Sequence, residues 1–375
     1  MTVNRIDEET TLLERAVAQL NAALAPTITV EASGRTVPTA SGEPRTADGL
    51  IDLKTPNAYA TLAVEAKSRV TPREAETMLG GQLSQMSQLA RIDFLVVAPW
   101  LSARSREILQ RRGLNYLDLT GNMFIRLDQP TILIRTDGLQ RDPNPIERGP
   151  LRLRGPKAGR LIRLLVDVRP PYGVRALAER SGLTAGYVSR LVEALEDEAL
   201  VTREERRGPV TQSDIAGLLR KYAENYDPFS TNERFSFIAK GGASKSLAAL
   251  PSLTSRIAVT GSFAASPLAP VAAPTLLTVY CADVASTAAE LDLLPADEGA
   301  NVVLLRPFDP VVWERSIERG GVTYAAPSQI VLDCLAGIGR MPAEGQALLD
   351  WMMRNEPSWR QDSLEDLPVR GTSSS

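Results

Sequence analysis

Two acidic side chains and one lysine fall near the ends of two predicted strands in the first third of the chain. Asp52 lies near the end of a predicted strand at 49–54, and Glu65 and Lys67 lie at the end of the next, at 61–66. Residues two apart in a strand share a face, so Glu65 and Lys67 point the same way while Ala66 points into the sheet. We expect Asp52, on the neighbouring strand, to converge with them. Two carboxylates can hold Mg²⁺, the metal can acidify a water for attack on a phosphodiester, and a lysine can position or deprotonate that water.

The alternative is an exposed strand face on which Glu65 and Lys67 form a salt bridge without chemistry. An E-x-K pattern is short and arises by chance in most proteins. The strand-end position and the spacing back to Asp52 favour a metal-dependent site, but the residues alone leave both interpretations open.

The elements around these residues predict one sheet-centred domain over 1–136. An amphipathic helix at 8–24 is followed by strands at 27–32, 49–54 and 61–66, a helix at 72–90 and a strand at 93–98. The order is αβββαβ.

This arrangement resembles the PD-(D/E)XK nuclease superfamily. The resemblance implies a restriction-endonuclease-like fold in which Asp52 takes the place of the first acid and Glu65-Ala66-Lys67 that of the E-x-K motif. It implies that Asp52 and Glu65 hold Mg²⁺ if the site is active. The resemblance also implies supporting roles for an acid of the first helix and for a glutamine of the later helix, for which the candidates are Glu14 or Glu8, and Gln82.

A second pattern, over 159–221, predicts a winged helix-turn-helix. Apolar residues recur at helical spacing from Leu161 to Val168, and a short amphipathic helix, a Gly182 turn and a longer helix follow. Thr184 occupies the N-cap position of the longer helix. The segments 200–202 and 209–211, joined by a charged turn, predict a two-stranded wing.

The exposed residues of this segment are candidates for contact with double-stranded DNA. The start of a recognition helix reads base edges in the major groove, and a basic wing holds the backbone. From Leu151 to Lys221 there are 14 basic and 9 acidic residues, a net charge of +5 in a chain whose net charge is −3. The alternative is a helical unit that packs against protein. The DNA-contacting candidates are Thr184, Tyr187, Ser189, Arg190, Arg203, Arg206 and Arg207.

The run GLTAGYVSRLVEALEDEALVTR resembles the winged helix of bacterial transcriptional regulators. NYLDLTGN and PSQIVLDCLAGIGRMPAEGQALLDW are similar to runs in AbiEi-type antitoxins and regulators, the latter within a resemblance of about 100 residues. These resemblances imply a DNA-binding regulator or an antitoxin with a toxin protein as partner. The nuclease-like domain ahead of the winged helix departs from a simple antitoxin.

The remaining chain predicts a linker at 137–158, a C-terminal domain at 222–358 and a disordered tail at 359–375. A strand ending in Gly261-Ser262, followed by a strand at 276–280, is the outline of an α+β nucleotidyltransferase fold. That chemistry needs paired carboxylates. The later strand is followed by one acid, Asp283, so we expect the fold to be inactive. The 11 basic and 18 acidic residues from 222 onward favour a protein partner.

Composition narrows the possible chemistry. The chain has no histidine, which excludes histidine-dependent triads and histidine-ligated zinc. Its 2 cysteines, Cys281 and Cys334, lie in apolar runs and are expected to be buried and reduced. There is no signal-peptide pattern and no apolar run of about 18 residues, so we expect a cytoplasmic protein without a membrane span.

The sequence therefore predicts an α/β multidomain protein and, first, a cytoplasmic DNA-binding transcriptional regulator acting as a homodimer. Two alternatives remain. One is a Mg²⁺-dependent DNA endonuclease that its winged helix directs to foreign DNA, and the other is an antitoxin. Whether the chain is an enzyme is left open.

Overall fold

The structure is a computed structural model that describes residues 2–37, 45–78, 92–144, 151–205, 208–365 and 367. Contacts divide the chain into two compact units. The first is Met1–Pro150 with Asp197–Ala199, and the second is Leu151–Glu196 with Leu200–Ser375. The predicted mixed α/β class with a helix-turn-helix is confirmed. The finer division into domains remains a prediction.

The first unit is built on a sheet with the strand order β1-β2-β3-β4-β5-β6-β7. Strands β3, β4 and β5 run parallel to one another, and the remaining neighbours are antiparallel. The described elements are α1 (Thr2–Leu24), β1 (Thr29–Val37), β2 (Arg45–Lys54), β3 (Tyr59–Ala66), α2 (Pro72–Thr77), β4 (Asp93–Ala98), α3 (Ala103–Arg111), β5 (Asn115–Asp118), β6 (Met123–Asp128) and β7 (Thr131–Thr136).

Helices cover both faces of this sheet. Leu13, Ala16 and Leu20 of α1 pack on one face, where Leu62 and Val64 of β3 are buried. The opposite face packs against α2 and α3 through residues such as Ala63, Ala75 and Ile108. The alternation along β3 decides which face each side chain reaches, as the period of two requires. Glu65 and Lys67 therefore lie on the same face as Ala63.

The second unit combines the helix-turn-helix, its wing and a mixed sheet of strand order β13-β10-β14-β12-β11-β16-β15. Its helices are α4 (Gly155–Asp167), α5 (Val174–Ser181), α6 (Ala185–Asp197), α7 (Ile215–Ala223), α8 (Pro228–Thr231), α9 (Ala243–Ala249), α10 (Gly261–Ala265), α11 (Val284–Glu290), α12 (Pro327–Leu335) and α13 (Met341–Arg354). Its strands are β8 (Val201–Arg203), β9 (Val210–Ser213), β10 (Glu233–Ala239), β11 (Ile257–Thr260), β12 (Leu277–Cys281), β13 (Leu293–Pro295), β14 (Val302–Arg306), β15 (Ile317–Arg319) and β16 (Val322–Tyr324).

One continuous hydrophobic core joins the helix-turn-helix to the C-terminal sheet. Leu161 and Leu165 of α4, Val188 of α6, Val279 of β12 and Val331 of α12 belong to the same buried cluster. Charged pairs reinforce it. The Arg160 guanidinium donates to the Asp309 carboxylate at 2.7 Å, across 149 residues of sequence. These helices and this sheet are therefore packed as one body.

The structure differs from expectation at both ends of this unit. The predicted linker reaches residue 158, but α4 begins at Gly155, because Pro156 in its first turn starts a helix rather than extending a loop. Residues 359–365, expected to be disordered, are ordered. Trp359 is 9% and Leu364 6% exposed, and Arg360 donates to the carbonyl oxygens of Val168 and Leu165.

Two expectations from composition can be compared with the fold. Cys281 and Cys334 are both buried and free, as predicted, and burial raises the pKa of the Cys281 thiol to about 11. No helix in the part of the chain that the structure describes is long and apolar enough to cross a membrane.

Candidate nucleic-acid interface

Helices α4, α5 and α6 form the predicted helix-turn-helix because each turns an apolar stripe inward. Leu177 of α5 and Leu195 of α6 are fully buried against α4. Gly182 ends α5 with φ of 65°, a left-handed conformation that only glycine adopts at little cost. The Gly182 turn lets the chain reverse direction tightly between the two helices.

The start of α6 presents a row of small or polar side chains to solvent. The Thr184 hydroxyl accepts a hydrogen bond from the Tyr187 N–H at 3.3 Å, as its N-cap position predicts. Ser189 and Arg190 are exposed, whereas Val188 on the opposite stripe is fully buried. The structure therefore brings Thr184, Ser189 and Arg190 together on one accessible surface.

Tyr187 lies at the edge of this surface. Its ring is half-buried and packs against the core, and burial raises the pKa of its phenol. Part of the side chain thus orients α6, and only the remainder can face a ligand.

The wing is the hairpin β8–β9, but Arg203 does not extend from it as predicted. The Arg203 Nε donates to the Glu196 carboxylate at 3.1 Å, and Nη2 donates to the same oxygen. The side chains are only 6% and 8% exposed. Arg203 therefore joins the wing to α6 rather than meeting a phosphate. Arg206 and Arg207 lie outside the described residues.

Replacing Arg203 by alanine should lower the free energy of unfolding by about 1.5 to 3 kcal/mol, because it leaves the buried Glu196 carboxylate without its donors. Urea denaturation measures this, and Arg203→Lys, which keeps the charge, should lose less. An alanine variant of unchanged stability with uniformly weaker DNA binding would restore Arg203 to the role of a backbone contact.

Several of the counted basic residues are taken up inside the protein. Arg163 is buried, and Arg160 and Arg169 pair with acidic side chains. Arg175, which the sequence analysis did not single out, is exposed in the first turn of α5. In helix-turn-helix proteins this helix crosses the DNA backbone. Its position after the Pro170-Pro171 break is the signal that could have identified it.

The predicted nuclease-like constellation is only partly assembled. Lys67 Nζ lies 2.6 Å from Glu65 Oε1, as expected for residues on one face. Asp52, however, is opposite Thr61 in the β2–β3 register and accepts a hydrogen bond from its hydroxyl at 2.7 Å. Thr61 is four residues from Glu65, about 13 Å along a strand. The structure does not bring Asp52 to Glu65.

A different acid, Asp48, occupies the place expected for Asp52. Counting six residues along each strand from the Lys54–Tyr59 pair places Asp48 opposite Glu65. Asp48 Oδ2 accepts a hydrogen bond from the Ala66 N–H at 2.8 Å, between Glu65 and Lys67. The paired end of this hairpin therefore carries Asp48, Glu65 and Lys67.

The supporting candidates are less well defined. Glu14 is exposed on α1, the side chain of Glu8 is not described, and Gln82 lies outside the described residues. Within the described ranges, no group of three or more His, Cys, Asp or Glu side chains is placed to hold a metal ion. A Mg²⁺ site would have to use the two carboxylates with water ligands.

In the C-terminal sheet, the candidate nucleotidyltransferase residues serve the fold. Asp283 caps α11, its carboxylate accepting the Ser286 N–H at 3.0 Å. Ser262 donates to Glu344 at 2.5 Å. Thr278, opposite Thr260 on β12, is buried and carries no charge. The adjacent strands β11 and β12 thus present no pair of carboxylates.

The three-helix core, the left-handed turn and the two-stranded wing define a winged helix-turn-helix. Residues 157–216, which run from α4 to the start of α7, match the IclR helix-turn-helix domain family. No curated protein matches the chain. The chain therefore carries an IclR-type DNA-binding domain, which supports a DNA-binding transcriptional regulator.

Proposed function

We propose that the chain is a sequence-specific transcriptional regulator whose helix α6 enters the major groove of DNA. The observation that carries this is the exposed surface of Thr184, Ser189 and Arg190 at the start of α6, within the segment that matches a DNA-binding domain. A hydroxyl and a guanidinium can read base edges, and arginine in particular binds guanine with two hydrogen bonds.

Backbone contacts would come from α5 and the wing. Arg175 is exposed at the start of α5 and has a full positive charge for a phosphate. Arg206 and Arg207 keep their predicted role as backbone contacts at the wing. Two copies, as in the predicted homodimer, would place two α6 helices on successive turns of the duplex.

The experiment is a fluorescence anisotropy titration of the promoter fragment of the protein's own gene, and of a scrambled duplex, over a series of salt concentrations. Arg175→Ala should reduce the salt dependence by about one unit of log affinity per log salt while keeping the preference for the promoter. Equal affinity of the wild-type chain for both duplexes would contradict sequence-specific binding.

A second candidate function, a Mg²⁺-dependent DNA endonuclease, is favoured by the position of Asp48. The hydrogen bond from the Ala66 N–H holds Asp48 beside the Glu65–Lys67 pair. Asp48 and Glu65 would hold the metal, which would acidify a water for attack on phosphorus, and Lys67 would orient that water.

Incubation with supercoiled plasmid, with and without Mg²⁺, tests this candidate and separates the two acids. Asp48→Asn, which keeps an acceptor for the Ala66 N–H, should abolish metal-dependent cutting, whereas Asp52→Asn should leave it unchanged. Absence of cutting by the wild-type chain would leave the regulator alone as the proposed function.

A further inference from the structure

A cleft of about 400 Å³ opens on the C-terminal sheet at the start of β11. This volume falls in the range of clefts that bind small organic molecules. Its walls combine apolar side chains with a few polar groups, the composition such clefts share. The lining that matters here is Leu253, Ile257, Ser255, Thr323, Arg256 and Trp313.

Arg256 is placed to receive an anion in this cleft. Its guanidinium carbon lies 5.0 Å from the centre of the Trp313 ring, so one face of the guanidinium is stacked and its N–H edge remains open. Arg256 is exposed and makes no ion pair among the described residues. Glu290, which binds Thr254 nearby, is occupied by Thr254 and Ser286.

We propose that this cleft binds a small organic carboxylate. The Arg256 edge would donate two parallel hydrogen bonds to the carboxylate, and Leu253 and Ile257 would contact the apolar body of the ligand. The apolar contacts distinguish such a ligand from an inorganic anion, which gains nothing from them.

The cleft is tied directly to the helix-turn-helix. Trp313 and Ser316 line it, and Arg315 between them donates from Nε to the Asp167 carboxylate at 2.6 Å. Asp167 is the last residue of α4, and the two side chains are 10% and 4% exposed. Arg315 has φ of 55°, a left-handed conformation that costs a non-glycine residue energy and persists only when its surroundings hold it.

A ligand that repositions Trp313 would therefore act on Arg315 and, through Asp167, on α4. Regulation of DNA binding by this route rests on the proposed function, whereas binding of the carboxylate does not. The carboxylate would be an effector whose differential affinity for two arrangements of the 313–316 segment shifts the helix-turn-helix.

Isothermal titration of the full chain with benzoate tests the site without DNA. Benzoate is expected to bind with a Kd of about 1 mM or tighter, while benzamide, of the same shape but neutral, and inorganic phosphate bind at least about tenfold more weakly. Arg256→Gln should weaken benzoate by a similar factor. Absence of saturable benzoate binding, or equal binding by Arg256→Gln, would overturn the proposal.

A second arm tests the coupling. Saturating benzoate should change the promoter affinity of the wild-type chain but not that of Arg256→Gln. Benzoate binding with unchanged promoter affinity would overturn the regulatory role and keep the site. A chain that binds benzoate but no DNA would instead refute the proposed function.

Discussion

Replacing Arg190 by alanine is expected to weaken binding to the promoter roughly tenfold to a hundredfold and to reduce the preference for promoter over scrambled DNA. Arg190 is exposed on α6, one residue beyond Ser189, and makes no ion pair within the described ranges. A base-reading arginine contributes little to nonspecific affinity, so most of the loss should appear on the promoter.

The matched control is Arg319→Ala. Arg319 is exposed on β15 and its removal lowers the net charge by the same amount. Anisotropy titrations at one salt concentration compare the two variants. If both lose affinity equally, and equally on both duplexes, Arg190 acts only through its charge and does not read bases.

Replacing Arg163 by alanine is expected to lower the free energy of unfolding by about 3 to 5 kcal/mol, because it removes one partner from a buried charged cluster. Arg163 Nε donates to Gln329 Oε1 at 2.5 Å. Its guanidinium lies over the rings of Tyr222 and Tyr226, at 5.5 and 6.0 Å. Burial alone would lower the pKa of Arg163, but these tyrosines and Asp333 outweigh it and raise the pKa.

Arg163→Met is the matched control, because methionine fills the space without buried donors. In the wild-type chain, Nη1 and Nη2 of Arg163 find no acceptor among the described residues, so their removal offsets part of the loss. Urea denaturation should show a clearly smaller destabilisation for methionine than for alanine. Equal stability of the alanine variant and the wild-type chain would contradict a stabilising role of the cluster.

The cluster also predicts a pH dependence. Burial raises the pKa of the Asp333 carboxyl, so the folded state favours its protonated form and loses stability as the pH rises through that pKa. Removing the Arg163 charge should raise this pKa further. Arg163→Met should therefore regain stability, relative to the wild-type chain, when the pH falls from about 7 to about 5. An identical pH dependence of both proteins would exclude electrostatic coupling between Arg163 and Asp333.

The helix-turn-helix could be predicted because its signals are local. Gly182, Thr184 and the apolar spacing of α6 act within a few residues of one another, and the structure realises each of them. Exposure of Ser189 and Arg190 follows from the same periodicity. Local spacing thus determined the candidate DNA-reading surface.

Long-range pairing decided the residues that the sequence analysis misplaced. Whether Asp48 or Asp52 faces Glu65 depends on the hairpin register, which the turn at residues 55–58 sets. The Pro56-Asn57 pair in that turn was the available signal. Arg203 and Arg163 were counted as surface charges, yet their partners Glu196 and Gln329 lie on other elements. A charge count cannot distinguish a buried pair from a free cation.

The most direct test of the central claim is photo-cross-linking from α6 to promoter DNA. Ser189→Cys places a thiol on the exposed surface, and because Cys281 and Cys334 are buried, a thiol-directed photoreactive group should attach only there. Glu318→Cys, on exposed β15, is the control. We predict that the Ser189 position cross-links to bases of the promoter in competition with scrambled DNA, and that the Glu318 position does not. Cross-linking from neither position, or equally from both, would contradict the placement of α6 in the major groove.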